Sequence, residues 1–118
     1  MKSHDLGIKG EALASSFLES KGYRILERNW RHRKAEVDII SFKENFLVAV
    51  EVKTRATDFY GEPQDFVNKN KIRLLKGAIN AYVNMNDLDV EVRFDIIGIV
   101  WSEDSVQVTH LEDAYFIF

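Results

Sequence analysis

Residues 36–53 read EVDIISFKENFLVAVEVK, two apolar runs joined by a short polar turn at Lys43, Glu44 and Asn45. In the second run, Phe46, Val48, Val50 and Val52 alternate on one face and Leu47 and Ala49 on the other. A strand that is apolar on both faces is a central strand covered by helices. If Glu44 and Asn45 form a two-residue loop, Lys43 pairs with Phe46. That register sets Asp38 opposite Glu51 and Glu36 opposite Lys53. A slip of two residues keeps all four on one face, whereas a slip of one separates them.

Outward from this hairpin the pattern continues in both directions. Leu6, Gly10, Leu13, Ala14, Phe17 and Leu18 share one face at ~100° per residue, so a helix is expected from Leu6 to Lys21, stopped by Gly22. Tyr23 to Trp30 reads as a strand with an uneven, basic pattern. After the hairpin, Arg55 to Gln64 is a loop carrying Gly61 and the single proline, Pro63. A second helix is expected from Phe66 to Asn84, with Leu75, Ala78, Ile79 and Tyr82 as its apolar stripe. Val90 to Val100 and Val106 to Leu111 are strands, and Tyr115 to Phe118 is apolar enough to dock. The order α-β-β-β-α-β-β predicts an α/β protein with a mixed central sheet flanked by helices. No repeat or linker divides the chain, and 118 residues make one domain, residues 1–118.

Composition excludes several function classes. There is no cysteine, hence no disulfide, thiolate metal site or cysteine nucleophile. No run approaches the ~18 apolar residues of a membrane span. The opening MKSHDLGIKGE has no apolar core for a secretion signal, so a cytoplasmic location is expected. Gly-rich phosphate loops and Gly-x-Ser-x-Gly elbows are absent. Net charge is −3, which argues against a nucleic-acid partner. The distribution argues otherwise: residues 1–86 hold 15 of the 16 Lys and Arg but only 11 of the 19 Asp and Glu. A basic body of this kind presents cations to phosphate; it is also what ordinary surface variation produces.

Chemistry concentrates on the hairpin. Directly opposed strand residues have Cβ atoms ~5 Å apart. Two carboxylates at that distance repel by roughly 3 kcal/mol at an effective dielectric near 20. Three things offset such repulsion for Asp38 and Glu51: a hard divalent cation, a shared proton, or a salt bridge to Lys53. Glu11 borders the apolar stripe of the first helix and can lean over the sheet edge, although a surface Glu near a helix N-terminus is equally natural. Lys71 shares the inward stripe with Leu75, Ala78 and Tyr82. It is either a lysine snorkelling past the core or a second cation for phosphate. Arg24, Arg28, Arg31, His32, Arg33 and Lys34 surround Trp30, a combination that suits phosphate contact and base stacking but is also common in charged loops. His4, His32 and His110 lack metal-ligand spacing and read as surface residues.

These residues together resemble the YraN family of small bacterial proteins, which carries a PD-(D/E)xK nuclease core similar to archaeal Holliday junction resolvases. The matching blocks are 6–12 (LGIKGEA), 22–29 (GYRILERN), 36–40 (EVDII), 50–55 (VEVKTR) and 61–63 (GEP), followed by Val67 through Lys71 to Tyr82. Ala35 stands where the family usually has glycine, and Val37 replaces the proline of the superfamily's motif. The resemblance implies a restriction-endonuclease-like three-layer core. It implies that Asp38 and Glu51 bind Mg²⁺ or Mn²⁺, with the Val52 carbonyl as a further ligand and Glu11 completing the acidic cluster. Lys53 would orient the attacking water, Lys71, Arg55, Arg28, Arg31, Arg33 and Lys34 would hold the nucleic-acid backbone, and Glu36 would partner Lys53. The expected partner is nucleic acid, with DNA favoured and branched or damaged DNA among its forms, and a homodimer is carried over from the resolvases. Two rivals stand beside this metal-dependent endonuclease: a nucleic-acid-binding module that barely cleaves, and a protein-interaction domain whose carboxylates form a salt-bridge network.

Overall fold

The computed structural model describes residues 3–56 and 68–114, with side chains from Asp5 onward. The expected loop around Gly61 and Pro63, Val67 and the segment Tyr115 to Phe118 lie outside the described residues. The elements run α1 (Ser3–Ser20), β1 (Arg24–His32), β2 (Ala35–Lys43), β3 (Phe46–Arg55), α2 (Lys69–Met85), β4 (Glu91–Trp101) and β5 (Val106–Leu111), in the order expected.

The five strands form one sheet in the order β1-β2-β3-β4-β5. β1, β2 and β3 make an antiparallel meander, β3 and β4 run parallel, and β5 returns antiparallel. A parallel pair needs a long crossover, and α2 supplies it. Lys43 pairs with Phe46 and Ile39 with Val50, the register read from the two-residue turn. The uneven pattern of β1 has a local cause. Ile25 pairs with Ser41 but Glu27 with Ile40, leaving Leu26 as a bulge that shifts the alternation.

Each helix covers one face. Ala14 and Leu18 of α1 pack with Ile39, Val48, Val50, Ile97 and Ile99. Ile72, Leu75, Ala78, Ile79 and Tyr82 of α2 pack with Val37, Ile40, Leu47, Ala49 and Ile96. This is the three-layer arrangement. α1 ends as its sequence suggests: the Tyr23 amide bonds to the Leu18 carbonyl at 3.0 Å, the Gly22 amide to Glu19 at 3.0 Å, and Gly22 takes φ +90°. α2 starts three residues later than expected, because Asn68 caps it by accepting from the Lys71 amide at 2.9 Å.

One expectation fails outright. His110 is buried, its side chain 4% exposed, rather than a surface residue. Its Nε2 lies 2.7 Å from Asp95, which is wholly buried and also grips Arg93 through two contacts of 2.9 Å and the Asp113 amide at 3.0 Å. Arg93 in turn bonds to the Tyr23 hydroxyl. Burial acts to raise the Asp95 pKa, but the bonds from His110 and Arg93 outweigh it and hold the carboxyl below its ordinary range. The network pins the end of α1 and the start of β1 to β4 and β5. No described helix is long and apolar enough to cross a membrane.

Candidate active site

β2 and β3 are hydrogen-bonded only as far as Ile39 and Val50. Beyond that point β2 continues against β1 alone and β3 against β4 alone, down to Ala35 and Arg55. The sheet therefore forks between two of its own strands. Asp38 and Glu51 are the first residues past the last pair. Side-chain alternation also breaks here, since Val37 packs with the α2 cluster whereas Ile39, two residues on, packs with the α1 cluster.

Asp38 replaces the missing ladder bond with its own side chain, Oδ2 accepting from the Val52 amide at 2.8 Å. Its carboxylate is thereby fixed at the mouth of the fork. Glu51 is buried, 6% exposed, on the face covered by α2. Lys71 from the first turns of α2 brings Nζ to 3.3 Å from Glu51 Oε1. That distance is an ion pair without hydrogen-bond geometry, and the buried Oε1 has no hydrogen-bond partner among the described residues. Burial first, then Asp38 as hydrogen-bond partner and like charge, push Glu51 up to about 9, with Lys71 pulling the other way. Glu51 is thereby held in its protonated form well above the ordinary carboxylate range. Against the repulsion between the two carboxylates the structure sets the Lys71 ammonium beside Glu51.

Glu11 reaches the fork from α1. Its pKa is raised by burial and by the charge of Asp38, with Glu36 adding to this and Arg28 and Asn29 opposing. The approach of α1 depends on Gly10. A Cβ there would lie 1.7 Å from Thr54 Oγ1 and 2.7 Å from Thr54 Cβ, so only glycine lets the helix sit on β3 at this level. Among the described residues no three His, Asp or Glu side chains converge as a group that could hold a metal ion. Asp38 acts on Glu51 from the opposite side of the fork, and Glu11 feels the charge of Asp38 through space.

The other expected residues separate into distinct places. Lys53, two positions beyond Glu51 on β3, is exposed. Glu36 is ion-paired with Arg31 at 2.7 Å, the residue registered opposite it on β1. Because the strands have parted, Glu36 and Lys53 are not ladder partners as the extended register implied. Arg55 is buried, 8% exposed, so it is no surface contact for a backbone phosphate. Arg28, Arg31, Arg33 and Lys34 are exposed. Trp30 packs edge-on against Tyr82 with centroids 5.2 Å apart and stacks on His32. Sequence reading missed Gly10 as a contact residue and Asn29 as a partner of Glu11. Asn29 carries a signal in hindsight: asparagine is a poor strand former, and here it takes φ +53°.

The chain matches the family model described as "Uncharacterised protein family UPF0102" over residues 10–99, a span that holds every group at the fork. It is similar to UPF0102 proteins of Flavobacterium psychrophilum (54% identical over 115 residues, 98% of this chain and 97% of the relative) and Christiangramia forsetii (51% over 115 residues, 98% and 97%). The likeness extends to a UPF0102 protein of Geobacter metallireducens, 40% identical over 116 residues, 98% of this chain and 95% of the relative.

Proposed function

This chain belongs to the uncharacterised protein family UPF0102, and from the carboxylate pair at its strand fork we propose that it is a metal-dependent nuclease that hydrolyses phosphodiester bonds, DNA being the favoured substrate. The observation that carries the reading is the Asp38–Glu51 pair itself. A buried glutamate held beside an aspartate is costly, and groups perturbed in this way cluster at functional sites. The donor set fits Mg²⁺ or Mn²⁺: two carboxylates on rigid strands, one with an unbonded oxygen, are what a hard octahedral cation uses along with water and substrate oxygens. When bound, such a cation supplies Lewis-acid polarisation of the phosphate and a lowered pKa for water.

The chain's own residues supply the rest. The Val52 amide holds Asp38 in place, so one ligand is preorganised before anything binds. Asp38 and Glu51 would hold the cation, and Lys71, 3.3 Å from Glu51, stabilises the ionised form of that glutamate. Lys53, exposed beside the pair on β3, meets the scissile phosphate and orients the attacking water. Exposed Arg28, Arg33 and Lys34 attract the backbone.

The test is a cleavage screen with purified protein on duplex, flap, junction and single-stranded DNA, in Mg²⁺ and in Mn²⁺. Cut product that vanishes in Asp38→Asn and Lys53→Ala is expected. Salt-sensitive binding with no product from any substrate sinks the enzyme and leaves a binding module. If nucleic acid does not bind at all, a protein-interaction role replaces both.

A further inference from the structure

On the α2 side of the sheet the β1–β2 turn stands away from the helix, leaving an open groove of about 470 Å³. Its rim is cationic, formed by Arg33 and Lys34 of the turn and Arg73 of α2. Its floor is apolar: Leu74, Gly77 and Ala78 along α2. Leu74 is left 37% exposed there. Among the described residues no acidic side chain lines the groove. His32 also faces it, lying flat against Trp30 with an interplanar angle of 3°. Arg73 is steadied by Asn70, whose Oδ1 accepts from it at 2.8 Å. Arg33 and Lys34 are cations already assigned to the backbone, whereas Arg73, Leu74 and Gly77 have no part in the chemistry at the fork.

A cation rim over an apolar floor, with the flat His32 ring at one end, suits a ligand that is anionic along one edge and planar and apolar along the other. An unstacked nucleotide has that character. A duplex does not, because its bases are stacked away from a concave apolar surface. The volume lies in the range of small-ligand pockets, enough for a base but not for a helix. Two elements connect the groove to the fork by similar lengths. Six residues of α2 from Lys71 to Gly77 span ~9 Å, and three residues of β2 from Asp38 to Ala35 span ~10 Å.

We propose that this groove holds an unpaired stretch of nucleic acid, phosphates on Arg33, Lys34 and Arg73 and a base on the α2 floor, so that the substrate class of the fork is nucleic acid with a single-stranded segment beside the scissile bond. The proposal rests on the nuclease reading for its second half only; the binding half stands by itself.

Gly77 offers a direct test, since a Cβ built there meets nothing within 4 Å. Gly77→Leu fills the groove, and replacing a mid-helix glycine favours the helix, so its melting temperature should not fall. Binding is measured in EDTA, where a metal-dependent enzyme does not cut, by fluorescence anisotropy of a labelled oligo-dT and of a duplex of equal length. Gly77→Leu should weaken oligo-dT binding at least tenfold and duplex binding less than threefold. Arg73→Gln and Lys34→Gln should each lower the slope of log affinity against log salt by about 0.7 on the single strand. Equal loss on both DNAs, or none in a folded Gly77→Leu, overturns the groove. Displacement of oligo-dT by polyglutamate at equal charge concentration also overturns it, since the site would then read charge alone. The wild-type cleavage screen decides the other half separately. Loss of oligo-dT binding in Gly77→Leu without any cut product in the wild type keeps the groove and removes the nuclease; product with unchanged binding does the reverse.

Discussion

Replacing Glu51 by glutamine tests the proton at the fork. Native Glu51 keeps its proton up to about pH 9, whereas in the unfolded chain it loses it near the ordinary value of 4.5. Between those limits the unfolded state binds one proton fewer at this site, so stability falls as pH rises, by about 1.4 kcal/mol per pH unit. Below pH 4.5 both states are protonated and the effect vanishes; above pH 9 it is constant. Glutamine imitates the protonated acid, including its donation to Asp38, and does not titrate. Glu51→Gln should therefore match wild type near pH 4.5 and exceed it by about 3 kcal/mol at pH 7, the gap widening linearly with pH. All other carboxylates are common to the two proteins and cancel in the difference. Urea titrations in EDTA at unit pH steps from 5 to 8 measure it, read as the shift in midpoint at constant m-value. A Mg²⁺ titration at pH 8 adds a second arm: the ion should stabilise wild type and leave Glu51→Gln unmoved. Parallel stability curves across pH 5–8 would refute the reasoning, for they would mean that Glu51 ionises as readily in the fold as outside it.

Other outcomes follow from the same geometry. Lys71→Met removes the cation that favours ionised Glu51, so the glutamate's midpoint should move still higher, as seen by carboxyl-carbon NMR titration; a fall would show that Lys71 does not act on it. Gly10→Ala drives a methyl into Thr54 and should cost about 1–3 kcal/mol by denaturation while displacing Glu11; an unchanged midpoint would mean that α1 does not rest on β3 there. Asp95→Asn leaves the half-buried Arg93 short of its counter-charge and should cost about 3 kcal/mol at pH 7. Because the Asp95 pKa is lowered in the fold, this contribution is full above the ordinary carboxylate range and fades as pH falls through the native value, so the two proteins should converge in acid.

The element order and the hairpin register were legible because alternation at 36–53 is strong and a two-residue loop leaves one pairing. The fork was not legible. Nothing in an alternating pattern says that two strands part after Ile39 and Val50, since each goes on pairing with its other neighbour. Extending the register by arithmetic therefore placed Asp38 near Glu51 correctly but made Glu36 a ladder partner of Lys53, when Arg31 holds it. Lys71 was visible as a charge on an apolar stripe, yet its counter-ion lies on another element and has no sequence signature. His110 was misjudged for the same reason. A histidine six residues from Asp104 looks solvated until the antiparallel pairing of β4 and β5 sets Asp95 beside it. Close approach of backbones leaves the faintest trace, and Gly10 could have been any small residue on a helix stripe.

The parallel pairing of β3 and β4 has a consequence for assembly. Phe46 finds Glu91 across an intervening stretch of 44 residues, while Lys43 meets Phe46 around a two-residue turn. Closing the long loop carries more entropy and is slow; closing the turn is quick. The acidic pair thus belongs to the early, local part of the chain's ordering and its lysine from α2 to the late part. A protein that emerges from the ribosome amino end first would acquire its two carboxylates before the cation that tempers them.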